Sequence, residues 1–167
     1  VERKVEERTE SLQNSKDYLN SIIETIREGL VVLDPNFKVL KVNQSFLKIF
    51  KVSEAETIDQ LLFDLGNRQW DIDTLRELLV KILPTNNPVL DYVVEHDFPH
   101  IGPKTMLLNA QRIEWEGKYK DRILLAIEDV TDRVEIEKRK DDFLSIASHE
   151  LKTPLTAIRG YIQLLKR

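Results

Sequence analysis

The placement of glycine and proline constrains this chain most. Residues 1–20 contain neither, and neither occurs between Asp129 and Pro154, whereas the middle is interrupted at Gly29, Pro35, Pro84, Pro88, Pro99, Gly102, Pro103 and Gly117. Helix interiors lose about 1 kcal/mol to Gly and about 3 kcal/mol to Pro. The two clean stretches are therefore free to form long helices, and the middle must be assembled from short elements joined by turns.

The first stretch is dense in Glu, Arg and Lys. Heptad steps catch Val1, Val5, Arg8, Leu12, Ser15, Leu19, Ile22 and Ile26, an apolar stripe broken at Arg8 and Ser15. It predicts a helix over residues 1–20 able to pair as a coiled coil. Leu30–Leu33 then reads as a buried strand, Asp34-Pro35-Asn36 as a turn, and Phe37, Val39, Leu40 and Val42 as the returning strand. Asn43 is placed to cap a short helix Gln44–Phe50, and Ser53 a second one running to Leu62. Leu75, Leu78, Leu79 and Ile82 share one face of a longer helix, Ile72–Leu83, ended by Pro84. Three strands follow at Val89–His96, Thr105–Trp115 and Arg122–Asp129. Helices grouped between two sets of strands give an α+β domain: a five-stranded antiparallel sheet with helices on one face, flanked by N- and C-terminal coiled-coil-like helices.

Composition narrows the functional classes. The 167 residues are 41% apolar, with a net charge of −4 and no cysteine. The charge argues against a nucleic-acid partner, which selects for basic patches. The missing thiols exclude disulfides and cysteine metal sites and fit a cytoplasmic setting. No apolar run approaches the roughly 20 residues that cross a bilayer. The first residue is Val1, and we expect the chain to be a segment of a longer parent, either membrane-anchored or soluble. His96 and His100, beside Asp97, Pro99 and Gly102, read as solvated strand-end and loop residues, and no metal site is expected. Trp70 and Trp115 read as packing residues. Asp129 and Thr131 read most simply as caps of the exit helix.

The element order, with Gly29-Leu30-Val31-Val32-Leu33-Asp34, Val42-Asn43 followed by Phe46, and Asp129-Val130-Thr131 closing the last strand, resembles the PAS sensor family. Val94–Pro99 and Met106–Ala110 look like a PAS subgroup found in bacterial signalling kinases. The resemblance covers residues 21–131. It implies a PAS ligand of unknown identity, or an empty spacer domain. A flavin–cysteine adduct is excluded, because the chain has no cysteine.

Residues 132–167 carry a second resemblance. Heptad steps catch Val130, Val134, Glu137, Asp141, Leu144, Ser148, Leu151, Leu155, Ile158, Ile162 and Leu165, polar at first and then apolar. This predicts a connector helix at 132–142 leading into a bundle helix at 143–167. Within the latter, Phe143-Leu144-Ser145-Ile146-Ala147-Ser148-His149-Glu150-Leu151-Lys152-Thr153-Pro154-Leu155 resembles the histidine box of the dimerisation and phosphotransfer domain of sensor histidine kinases. A neutral imidazole is a nucleophile near pH 7, and His149 lies about 100° round from Ser148, at the edge of the stripe. The resemblance implies that His149 is the phospho-acceptor, that Glu150 orients its ring or serves as general base, and that Thr153 positions water for dephosphorylation. Pro154 invites a kink beside them. The implied partners are a second copy in parallel, a response-regulator receiver domain and an ATP-binding domain of the parent. ATP and Mg would be needed by the parent. The 167 residues include no Asp-x-Gly-x-Gly, so this segment alone is expected to be inactive as a kinase, with the phosphotransfer helix truncated.

Overall fold

Along the strand Arg122–Asp129, Ile123, Leu125 and Ile127 are fully buried while the residues between them are partly exposed. That two-residue period is what a sheet with one covered face requires. The computed structural model describes residues 1–114 and 121–166; Trp115 and the expected break at Glu116-Gly117-Lys118 lie outside them. Two units are distinguished, Val1–Asp129 and Val130–Arg167.

In the first unit, α1 (Glu2–Thr25) precedes β1 (Gly29–Leu33) and β2 (Val39–Val42), followed by α2 (Gln44–Phe50) and α3 (Glu54–Thr57). A 3₁₀ turn at Leu62–Asp64, a turn α4 (Leu65–Arg68) and α5 (Asp73–Thr85) come next, then β3 (Val89–Phe98), β4 (Gly102–Ile113) and β5 (Arg122–Asp129). The sheet order is β2-β1-β5-β4-β3, with every pairing antiparallel. Val31, Leu33, Val94, Phe98, Met106, Leu108 and Ala110 complete the buried face with β5. Leu75, Leu79 and Ile82 of α5 and Phe46 and Phe50 of α2 pack over it. Trp70 lies in the middle of this layer, with ring centroids 4.7 Å from Phe50 and 5.3 Å from Phe98. At Gly29 a Cβ would come within 3.2 Å of the Phe46 backbone, so any larger residue would push α2 a few tenths of an ångström from β1.

Asn43 joins these elements. Its side chain is 1% exposed. Its Oδ1 accepts from the N–H groups of Leu30 (2.8 Å) and Phe46 (3.0 Å), and its Nδ2 donates to the carbonyls of Glu28 (3.0 Å) and Ile23 (3.3 Å). The expected cap of α2 is thus present, and the same amide also holds β1 and the end of α1. Ser45 Oγ adds a bond to the Ile26 carbonyl (2.7 Å), and Lys41 Nζ one to Asn20 (3.1 Å). No residue of α1 is buried, and these bonds explain why the helix persists to Thr25 rather than ending near Asn20.

Several expected boundaries move for identifiable reasons. Phe37 has φ 66 and leaves the strand, its ring meeting Phe63 edge-on at 5.4 Å. Ser53 forms a complete capping box with Glu56, but α3 stops at Thr57 instead of Leu62. Asp59 turns left-handed, its N–H donates to the Val39 carbonyl, and Val39 N–H donates to Gln60. The segment is used to cover the outer edge of β2. Pro84 lies within the last turn of α5, which ends one residue later at Thr85 and is capped by left-handed Asn86. Gly102 and Pro103 belong to β4, paired with Phe98 and Asp97, so the β3–β4 turn is only 99–101. His96, expected at a solvated strand end, is half-buried within β3 with its ring 5.1 Å from Phe98, whereas His100 is exposed in the turn as expected. In α4, Gly66, Asn67 and Arg68 have φ of 51, 61 and 63; such backbone costs on the order of 1–3 kcal/mol at each non-glycine residue.

The second unit is one helix, α6 (Thr131–Leu165), continuous through Pro154. Its cap position is Val130, which has no side-chain oxygen to offer, so neither Asp129 nor Thr131 occupies the cap. Asp129 instead ends β5, with its carboxylate 3.3 Å from Lys104 Nζ.

Replacing Asn43 with Ala leaves buried backbone donors and acceptors without partners and removes a helix cap. We predict a loss of about 3 kcal/mol in urea unfolding at unchanged denaturant slope. A loss below about 1 kcal/mol would show that water or neighbouring groups replace the amide.

Candidate phosphotransfer site

Residues 149, 152, 153, 156 and 157 recur at helical spacing, and His149, Lys152, Thr153, Thr156 and Ala157 line one open groove along α6. At 100° per residue, His149 is roughly 150° round the helix from the middle of the seam formed by Leu144, Leu151, Leu155, Ile158 and Ile162. That places it farther from the seam than the stripe edge expected from Ser148. All five seam residues are exposed, as is every residue of the groove, and no residue of α6 is buried. The helix thus has one apolar side suited to packing and one polar side open to reactants.

The three residues singled out in the sequence, His149, Glu150 and Thr153, fall within five successive positions of this helix. Thr153 shares the face of His149, and its Oγ1 donates to the His149 carbonyl at 3.4 Å. Thr156 Oγ1 donates likewise to Lys152 at 2.8 Å. Glu150 is exposed, one step round from His149. Among the described residues, the Glu150 carboxylate and the His149 ring are not hydrogen-bonded to each other. Pro154 has no N–H, so the Glu150 carbonyl loses its helical donor one turn before it. Lys152 was not singled out in the sequence. Its signal was the i+3 spacing from His149, which sets an ammonium beside the imidazole on one face. Among the described residues there is no cluster of three or more His, Asp or Glu able to hold a metal, and no helix long and apolar enough to cross a membrane.

Comparison with known proteins places these elements. The profile described as the PAS fold matches residues 17–130, most of the chain. The chain belongs to the PAS family. Solved PAS domains share its fold. That of the HTR-like protein from Haloarcula marismortui superposes with a TM-score of 0.58 at 19% identity, covering 74% of this chain and 98% of the other. That of Bordetella pertussis BvgS gives 0.54 at 16% identity, covering 79% and 98%. Next to the PAS domain, the profile of the His Kinase A (phospho-acceptor) domain matches residues 139–167, the part of α6 that includes His149.

Relatives align with both parts. Sensor protein kinase WalK of Staphylococcus haemolyticus is 24% identical over 99% of this chain and 26% of its own length. Drug sensory protein A of Synechocystis is 27% identical over 99% and 28%. The uncharacterized sensor-like histidine kinase ycf26 of Pyropia yezoensis is 24% identical over 99% and 26%. The chain therefore spans about a quarter of the length of the relatives it matches.

Pro154→Ala restores the donor to Glu150 and removes the ring from the helix interior. We predict that amide protection around residues 150–158 rises, equivalent to up to about 3 kcal/mol of local stability. Unchanged hydrogen exchange there would mean that this stretch is already as ordered as a proline-free helix.

Proposed function

We propose that this chain is the sensory and signal-transducing segment of a two-component sensor histidine kinase. The observation that carries the proposal is the junction of a PAS domain with a matched phospho-acceptor helix on which His149 stands exposed. The sensor occupies residues 21–131 behind the N-terminal helix 1–20. Residues 132–142 connect it to the phosphotransfer helix, 143–167.

In this scheme one ring nitrogen of His149 attacks the γ-phosphorus of ATP, the bond from that phosphorus to the β–γ bridging oxygen breaks and ADP leaves, while Glu150 takes the proton of the other ring nitrogen and holds the ring's orientation. Lys152, on the same face, offsets charge on the phosphoryl oxygens. A response-regulator aspartate then takes the phosphoryl group from His149, and Thr153 orients water when the regulator is dephosphorylated. ATP and Mg²⁺ are bound by a nucleotide domain elsewhere in the parent. The exposed seam from Leu144 to Leu165 pairs with a second copy in parallel, because an uncovered apolar stripe of that length associates.

The 167-residue chain alone should incorporate no phosphate from ATP. With the parent's ATP-binding half supplied in trans, label should appear and His149→Gln should abolish it. Label persisting in that variant would assign the wrong acceptor.

Glu137 and Asp141 stand at seam positions of the connector and weaken its pairing. A weak seam can hold two arrangements of similar energy, as a ligand-biased switch requires. We predict that Glu137→Leu with Asp141→Leu strengthens the dimer in sedimentation and makes the parent's autophosphorylation insensitive to its signal, without unfolding the PAS domain. A normal response in the double variant would exclude this seam as the switch.

A further inference from the structure

The two edges of the sheet are treated differently. The outer edge of β2 is covered: Asp59 N–H donates to the Val39 carbonyl at 2.9 Å, Val39 N–H donates to the Gln60 carbonyl at 2.8 Å, and Lys38 forms an isolated bridge with Leu61. β3 stands at the other edge and, among the described residues, pairs on one side only, with β4. Its ladder with β4 runs unbroken from the Tyr92–Leu108 pair to the Phe98–Gly102 pair. Antiparallel pairing turns every second residue of such a strand outward, so about half of the N–H and C=O groups from Tyr92 to Phe98 face away from the sheet.

The open stretch has a defined start. The register shifts between Val89 and Tyr92, Asp91 turns left-handed at φ 55, and its N–H donates to Asn109 Oδ1 at 2.7 Å. This bulge takes Leu90 and Asp91 off the ladder. The regular residues Tyr92–Phe98 remain, a length that suits main-chain bonding of a short extended segment.

The charge on this stretch has one sign. Val94 and Phe98 are buried in the core, so Val93, Glu95 and Asp97 project from the opposite face, and all three are exposed. The outward residues of β4 beside them are Pro103, Thr105 and Leu107, so no Lys or Arg shares this corner of the face. Lys104 lies on the core side with buried Met106 and is paired with Asp129. Among the described residues neither Glu95 nor Asp97 forms an ion pair. A second copy added antiparallel and centred on Glu95 would set Glu95 against Glu95, and centred on His96 would set Glu95 against Asp97. Like charges directly opposite are destabilising. The edge is therefore guarded against its own copy and open to a cationic strand.

We propose that β3 accepts an extended segment of a partner protein as an added antiparallel strand, with Lys or Arg opposite Glu95 and Asp97 and an apolar residue opposite Val93. Main-chain bonds supply the affinity, and the two carboxylates select the partner. The site is independent of the phosphotransfer scheme. Binding is read at residues 92–98, and its failure leaves the role of His149 untouched.

The test uses the ¹⁵N-labelled full chain and the peptide acetyl-Thr-Lys-Thr-Lys-Thr-Val-Thr-amide, whose lysines fall opposite Asp97 and Glu95 and whose valine falls opposite Val93. Amides of residues 92–98 should shift saturably, with a Kd on the order of 1 mM, while those of the covered edge, 39–42, should not. Replacing both peptide lysines with Glu should weaken binding by about tenfold or more. Two N-methylated forms of the lysine peptide, blocked at alternate residues, separate a ladder from simple charge attraction. The form blocked on the side facing β3 should lose binding, and the other should keep it. Glu95→Lys with Asp97→Lys, both at exposed positions, should reverse the preference toward the Glu peptide. The proposal is overturned if the lysine peptide at several millimolar gives no saturable shift at 92–98, if both methylated forms bind or neither does, or if the double variant still prefers the lysine peptide. It is also overturned if those amides shift with chain concentration alone, which would put a second copy on the edge.

Discussion

Asn43 stands where the end of α1, β1 and the start of α2 converge, and its amide uses both lone pairs and both N–H bonds to meet them. Without it the buried N–H of Phe46 and the partly buried N–H of Leu30 and carbonyls of Glu28 and Ile23 would lose their partner. Orphaning such groups costs about 1–3 kcal/mol each. The close seating of α2 on β1, which Gly29 favours, depends on this node. So does the docking of α1, which buries no side chain of its own. The entry helix is thus fixed to the sensor by directional bonds rather than by apolar area. Such an attachment transmits orientation well for the small surface it covers.

Much of this was legible in the sequence, for local reasons. The bounds of α2 and β5 follow from a cap and an apolar period contained within a few residues. The α5 face Leu75, Leu78, Leu79 and Ile82 follows from helical spacing alone. The misreadings share one cause, which is long-range use of the backbone. The pattern of residues 54–62 suits a helix, yet Asp59 and Gln60 give their backbone bonds to Val39. Pro103 looks like a loop residue, yet β5 pairs with β4 only from Met106 onward, and that side of Pro103 has no ladder to break. The candidate acceptor site was readable because it is one helix face, so spacing in the chain is spacing in space. The open edge of β3 was not, because sheet order is a long-range property that nothing in the strand's own spacing announces.

The two units divide the work physically. The PAS unit has a filled core and a polar node, both features of a body that holds its shape. The helix α6 has neither. Its apolar residues remain exposed, and in the proposed scheme a second copy covers them along the Leu144–Leu165 seam. In that scheme the polar connector positions Glu137 and Asp141 would make the first part of the association weaker than the second. β5 ends at Asp129 and α6 begins at Thr131, so only one residue separates the last strand of the sensor from the helix bearing His149.

The central claim is that the phosphoryl group is carried on a ring nitrogen of His149, with Ser148 and Thr153 close by as hydroxyl competitors. The most direct measurement is the hydrolytic behaviour of label placed on the chain by the parent's nucleotide domain, followed by mapping in alkali. A phosphoramidate on His149 is lost in mild acid and survives base, and the surviving label should map to the peptide containing residue 149. Acid-stable label on Ser148 or Thr153 would contradict the assignment.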